Sequence, residues 1–262
     1  MGEMHAKKIS KVVEFAEKAC IPIIGIWDGD GQRAHEGVTS LGPNGDLLDN
    51  LVSCSGKVPM ISIILGTVSG TSALAAGLSD FVILGKQRGR MFMRSPYVIP
   101  EIISGEVDED TLGGANHHAS RSGVACLVSD SEKGAFDMVA EILSHMPDHT
   151  MSEAPTLDSG DKWDRKCKGM GKLVPQDSDR PYDMRGVIGQ VFDDKRFLEL
   201  SPSYAENVVI GFARLDGHPV GVIGNQPSVL AGCLDIDASV KAARFIRTCD
   251  CFNIPIVTFV DV

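Results

Sequence analysis

Residues 58–81 constrain the fold most. Val58, Met60, Ile61, Ile63, Ile64 and Leu65 form a short apolar run without alternation, the pattern of a strand covered on both faces. Gly66-Thr67-Val68-Ser69-Gly70-Thr71 interrupts that run. Ser72-Ala73-Leu74-Ala75-Ala76-Gly77-Leu78 follows, with small side chains that let a helix approach its neighbours closely. Strand, turn and helix in that order belong to an α/β domain. A helix N-terminus offers unpaired N–H groups and a positive dipole end. The corner is therefore either an ordinary strand-to-helix turn or a seat for an anion or a developing oxyanion.

The rest of the chain reads around that corner. Ile9, Val12, Val13, Ala16 and Ala19 recur at helical spacing, so residues 1–19 are expected as a helix ended by Pro22. Residues 23–27 read as a buried strand, 28–37 as a polar turn and 47–55 as a second helix. Further strands are expected at 81–84 and 90–93, a turn at 112–118, a short strand at 124–128 and a helix at 135–143. From 148 to 180 the composition shifts to Asp, Ser, Lys, Gly and Pro, which marks a linker or surface excursion. A helix at 184–191 and a short strand at 197–200 come next. Strands at 208–215 and 220–224 are joined at Asp216-Gly217, a strong hairpin signal. A helix over 238–251 and a strand over 256–260 close the chain.

An internal repeat links the two ends. Ile21-Pro22-Ile23-Ile24-Gly25-Ile26-Trp27-Asp28 matches Ile254-Pro255-Ile256-Val257-Thr258-Phe259-Val260-Asp261, and Lys8 and Lys241 share the same offset. Helix, Ile-Pro, strand and terminal Asp thus occur twice. The second copy stops where its polar turn is due, so it reads as truncated, and the first copy begins directly at its helix.

The 262 residues carry a formal charge of −10 and no Lys/Arg-rich stripe, which argues against a nucleic-acid partner. No apolar run is long enough to span a bilayer. Seven scattered cysteines lack paired metal spacing and are expected as reduced thiols of an intracellular protein. Gly29-Asp30-Gly31-Gln32-Arg33-Ala34 fits G-x-G-x-x-A. However, Asp28 and Asp30 would place carboxylates where a pyrophosphate must sit. The Asp28-x-Asp30-x-Gln32 spacing fails as a calcium loop at Ala34 and Thr39. Ser69 lacks the G-x-S-x-G elbow, and no histidine base occurs between Phe81 and Asn116. His117 and His118 are expected in a surface turn. Arg33, Lys86, Arg88, Arg90 and Arg94 read either as a solvated strand edge or as a cationic mouth for a phosphorylated ligand.

Leu112-Gly113-Gly114-Ala115, Ser122-Gly123-Val124-Ala125, Tyr204-Ala205-Glu206-Asn207, and Val220-Gly221-Val222-Ile223-Gly224-Asn225-Gln226-Pro227 carry a resemblance. So do Gly232-Cys233-Leu234-Asp235 and Phe252-Asn253-Ile254-Pro255. With these motifs the whole chain resembles the carboxyltransferase (beta) subunit of biotin-dependent acyl-CoA carboxylases, propionyl-CoA/methylmalonyl-CoA branch, shortened at both ends. The resemblance implies a crotonase-like α/β fold, a ββα spiral in two related halves with the second incomplete. Residues 1–147 would form the acyl-CoA half, lacking its first strands. Residues 148–183 would be the linker, and 184–262 the start of the biotin half.

The resemblance further implies transfer of a carboxyl group between carboxybiotin and the α-carbon of a short acyl-CoA, with backbone amides stabilising the thioester enolate. A decarboxylase alpha subunit and a non-catalytic structural paralogue are the alternatives. The family's G-P-C-A-G-G-A falls on residues 66–72. That assigns Gly70 and Thr71 as oxyanion amides, and Gly31, Arg33, Gly66 and Ser69 as substrate-binding residues. The family's D-S-G-G-A-R-x-Q-E-G falls on residues 28–37. Asp28, Gly31, Arg33, Glu36 and Gly37 are kept there; Gly29, Asp30, Gln32 and His35 depart, as Thr71 does in the other motif. The implied cofactor is biotin on a partner, the substrate is a coenzyme A thioester, and no metal is implied. The implied partners are the biotin carboxyl carrier and biotin carboxylase components and further copies of the chain, as a hexamer. The implied compartment is the cytoplasm or the mitochondrial matrix.

Overall fold

The computed structural model describes residues 1–94, 108–162, 164–177 and 180–261. Contacts divide them into two compact units, one of residues 1–141 with 148–150 and one of residues 142–147 with 151–262.

The first unit holds a parallel sheet. Its strands are β1 (Ile23–Gly29), β2 (Met60–Ser69), β3 (Phe81–Gly85), β4 (Arg90–Phe92) and β5 (Leu127–Ser129). The order is β1-β2-β3-β5, with β4 joined to the far end of β2 through Thr67–Ser69. Helices α1 (Glu3–Ala19) and α2 (Val38–Cys54) pack together. Val13, Leu47, Leu51 and Cys54 form a core there with Met60 and Ala75. As the apolar run predicted, Met60, Ile61, Ile63 and Ile64 are buried on both faces of β2. Burial of each such side chain contributes about 1.5–3 kcal/mol, which makes β2 the axis of the unit. The short helix α3 (Thr71–Gly77) follows it at once, with Ala73, Ala75 and Ala76 buried.

Five expectations need correction. The strand at 23–27 is covered on one face only: Ile24 and Ile26 are 45% and 57% exposed. The second helix starts at Val38 rather than Leu47 and carries Pro43 inside, since packing of its later turns outweighs the poor helix propensity of Gly42, Pro43 and Gly45. The stretch from Gly66 to Ser69 is not a turn. Pairing with β4 keeps it in β2, and only Gly70 breaks direction. The turn expected at 112–118 is two short helices, α4 (Glu109–Gly113) and α5 (Ala115–Ser120), the first capped by the Asp108 side chain on Thr111 N. The strand expected at 124–128 begins only at Leu127, while Cys126 N bonds Val82 O just ahead of it. The last long helix of this stretch, α6 (Glu132–His145), encloses the expected 135–143.

The second unit is built on a four-stranded sheet in the order β6-β7-β8-β9. Its strands are β6 (Leu198–Leu200), β7 (Val208–Leu215), β8 (His218–Asn225) and β9 (Ile256–Phe259). The hairpin β7–β8 turns at Asp216-Gly217, both with positive φ (53° and 76°), as a two-residue primed turn demands. Helices α7 (Met170–Leu173), α8 (Met184–Val191) and α9 (Ile236–Cys251) complete the unit. Met184, Ile188 and Phe192 pack on Val209, Ala213, Val220 and Val222.

Within the stretch expected to link two units, Leu157 and Arg165 bond into the second. Leu157 N donates to Gly217 O, and Arg165 donates to the carbonyls of Gln190, Val191 and Phe192 at the end of α8. A cation on the last carbonyls of a helix both caps them and opposes the dipole.

The repeat is visible in the elements: α1–β1 and α9–β9 are each a helix, an Ile-Pro and a strand. Its two lysines differ, however. Lys8 is exposed, whereas Lys241 is buried with Nζ donating to the carbonyls of Tyr204, Ala205 and Val208. The strands also bond through opposite edges. Ile23 N donates to Pro59 O of the segment entering β2, while Pro255, which corresponds to Pro22, accepts from Gly221 of β8. Neighbouring residues of a strand point their N–H and C=O groups to opposite sides.

Candidate active site

The corner at the end of β2 is made by one residue. Gly70 has φ +58° and ψ −128°, a conformation that glycine alone adopts without strain, and it swings the chain from strand into α3. Its N–H is already used, donating to Phe92 O at 3.1 Å in continuation of the β2–β4 ladder. Pairing with β4 thus engages the N–H that was expected as an oxyanion amide. Thr71 opens the helix, and its N–H meets no acceptor among the described residues.

A second loop lies against this corner. Gly31 N donates to Ser69 Oγ at 3.3 Å, and Ser69 Oγ donates to Asp30 Oδ1 at 3.4 Å. Thr71 Oγ1 donates to Gln32 Oε1 at 2.9 Å. The backbones approach so closely that a Cβ on Gly31 would lie 2.8 Å from Ser69 O, which explains the glycine. The Asp28 carboxylate covers Gly66 in the same way, occupying the space a side chain there would need. Of the expected site residues, the fold brings Gly31, Ser69, Gly70 and Thr71 together, while Gly66 lies back along β2 against Asp28.

Arg33 is not among them. Its Nη1 pairs with Glu36 Oε1 at 2.9 Å on the exposed side of the loop. The Glu36 carboxyl is held below its usual range, first by the Glu3 N–H it accepts and then by Arg33. Lys86 pairs with Asp130 at 3.0 Å and Arg90 with Asp110 at 2.9 Å. Of the five cations read either as a solvated strand edge or as a cationic mouth, Arg33, Lys86 and Arg90 are thus paired with acidic neighbours. His118 holds Met91 O and Ser122 Oγ with its two ring nitrogens, both at 2.8 Å. Burial pushes its pKa down, so it is a neutral structural link.

A groove of about 300 Å³ is lined by His5 and Ile9 of α1 and by Ile24, Ile26 and Trp27 of β1, and reaches Met1, Asp28, Asp30 and Ser72. Among the described residues the corner therefore offers the unpaired first-turn amides of α3, Thr71 foremost, a tightly stacked loop pair and an apolar approach edged by carboxylates.

The family profile described as the carboxyl transferase domain matches residues 1–262. The chain belongs to the carboxyl transferase domain family. It is 44% identical to the beta5 subunit of a biotin-dependent acetyl-/propionyl-coenzyme A carboxylase from Mycobacterium tuberculosis, over 100% of this chain and 49% of that protein. It is 43% identical to the methylmalonyl-CoA decarboxylase subunit alpha of Veillonella parvula, over 100% of this chain and 52% of that one. Among solved structures, the transcarboxylase 12S hexamer with methylmalonyl-coenzyme A and methylmalonic acid bound superposes with a TM-score of 0.96 and 37% identity. That match covers 100% of this chain and 50% of the other. The chain spans about half the length of these relatives. The carboxyl transferase likeness bears out the expected crotonase-like α/β fold.

Sequence reasoning missed Phe92, whose carbonyl occupies the Gly70 amide; a residue 22 positions away carries no local signal of that pairing. It noted Asp30, Gln32, Ser69 and Thr71 without joining them. Their common spacing of two residues (30 and 32, 69 and 71) is the signal that the loop after β1 runs alongside the β2–α3 corner.

Proposed function

We propose that this carboxyl transferase domain chain belongs to a subunit that moves a carboxyl group between carboxybiotin and the α-carbon of a short acyl-CoA of the propionyl-CoA/methylmalonyl-CoA type. The observation that carries the reading is the Thr71 N–H, unpaired among the described residues at a glycine corner that Gly31 approaches closely. When the α-carbon becomes nucleophilic, charge gathers on the thioester oxygen. A preoriented amide stabilises that charge by about 3 kcal/mol in comparable enzymes. Ser69 acts as a spacer between the loops rather than a nucleophile, since its hydroxyl is engaged by Gly31 and Asp30.

Biotin would arrive on a carrier protein and would supply or take the carboxyl group. The first unit would serve the acyl-CoA and the second would begin the biotin side. A biotin carboxyl carrier, a biotin carboxylase and further copies of the chain are the proposed partners, in the cytoplasm or the mitochondrial matrix. The hexameric transcarboxylase 12S neighbour supports the oligomer. Among the described residues no helix is long and apolar enough to cross a membrane.

The test is carboxyl exchange. The protein is incubated with methylmalonyl-CoA and free biotin, and propionyl-CoA and carboxybiotin are measured. Stoichiometric formation of both supports the reading, and its absence where a relative turns over under the same conditions removes it. The decarboxylase relative at 43% identity supports the same exchange run from acyl-CoA to biotin. A non-catalytic role is the second reading, favoured by one observation: the Gly70 amide is occupied and the branched Thr71 side chain is buried at the corner.

A further inference from the structure

Asp30 is the one site-loop carboxylate fixed directly to the β2–α3 corner. Ser69 Oγ donates to its Oδ1 at 3.4 Å, and Ser69 is two residues from the Thr71 amide. No cationic nitrogen of the described residues comes within ion-pair distance, 4.0 Å, of this carboxylate. Arg33, the nearest cation in sequence, is committed to Glu36. The Met1 amine interacts with the Asp30 charge but donates to the main-chain carbonyls of Asp30 and Gly31 and makes no ion pair with the carboxylate. Asp28 adds a second negative charge on the same loop, and both line the groove with Ser72.

We propose that Asp30 is a specificity-determining residue that makes this site favour an uncarboxylated acyl thioester over its α-carboxylated counterpart. The inference rests on the proposed function, because it places the acyl group at the Thr71 amide. The two thioesters differ at the acyl end by one carboxylate. In the carboxylated ligand that charge sits one bond from the α-carbon, at the corner to which Ser69 ties the Asp30 carboxylate. Like charges at such separations repel, and the repulsion is partly relieved by solvent at an exposed loop. The uncarboxylated ligand carries no charge there and pays no such penalty. The coenzyme A portion is common to both and cancels from the ratio.

The experiment measures dissociation constants of propionyl-CoA and methylmalonyl-CoA by titration calorimetry, for the protein and for Asp30→Asn. The asparagine keeps an oxygen for Ser69 and removes only the charge. The protein should bind propionyl-CoA the more tightly. Asp30→Asn should lower the methylmalonyl-to-propionyl ratio of dissociation constants about fivefold at low salt, with propionyl-CoA affinity changed less than about twofold. As an independent measurement needing no variant, the ratio for the protein itself should fall as salt is raised from about 0.02 to 0.5 M. A ratio that ignores both the substitution and the salt overturns the role of Asp30 and leaves the proposed function standing. Failure of the unsubstituted protein to bind either thioester overturns the proposed function and this inference with it.

Discussion

Thr71 Oγ1 and Gln32 Oε1 meet at 2.9 Å, so the first residue of α3 is tied to the loop that follows β1. The bond joins a nearly buried hydroxyl to an exposed amide side chain. Thr71→Val keeps the shape and deletes the donor, and is expected to cost about 1 kcal/mol. Gln32→Ala should cost a similar amount, and the double variant less than the two together. Urea midpoints for the four proteins read the coupling; strictly additive losses would show that the pair contributes nothing.

Gly70 should tolerate no side chain. At φ +58° and ψ −128° an L-residue is strained, and the corner cannot relax without breaking the Gly70 N–H bond to Phe92 O. Gly70→Ala is expected to lose about 1–3 kcal/mol of stability and to weaken binding of any acyl-CoA by moving the Thr71 amide. Calorimetric melting and thioester titration of the same variant check both.

The β7–β8 turn depends on a carboxylate remote in sequence. Asp193 is buried and accepts from Asp216 N at 3.1 Å and Gly217 N at 2.7 Å. Asp193→Ala leaves two amides without their acceptor and should cost about 2–3 kcal/mol; Asp193→Asn, which retains one oxygen, should fall between. Chemical unfolding orders the three proteins, and an alanine variant as stable as the parent would contradict the account.

Lys241 should make stability depend on alkaline pH. Burial holds its pKa down at about 8, against an ordinary 10.5, while Nζ donates to three carbonyls. Above the folded value and below the unfolded one, the unfolded chain holds the extra proton, so stability rises with pH across roughly 8 to 10.5. Lys241→Met should be less stable overall, because those carbonyls lose their donor, and should lack this rise. Unfolding midpoints from about pH 7.5 to 9.5 for parent and variant isolate the difference; parallel curves would refute it.

Much of this architecture is legible in the residues. The doubly apolar run at β2, the Asp216-Gly217 hairpin and the Ile-Pro repeat each carry their own local physics. The start of α2 is not legible, because Gly42, Pro43 and Gly45 depress helix propensity and only packing against α1 offsets them. Gly113-Gly114 reads as a turn, yet it joins two helices. A Cβ on Gly113 would lie 2.3 Å from Met91 O, so that glycine serves close packing. At the site, the glycines mark the corner correctly. What they cannot show is which amide stays unpaired, since that is decided by β4 arriving beside β2.

The opposite bonding edges of β1 and β9 have a consequence for engineering. Among the described residues each terminates its sheet, and the side that one strand leaves unpaired is the side its counterpart has filled. Unit two therefore serves as a mould for what fits beside β1: a parallel strand in the register of Gly221 to Ile256. Unit one is the reciprocal mould for β9, with the register of Met60 to Ile23. A grafted peptide strand can be designed for either rim from strand pairings the molecule already contains.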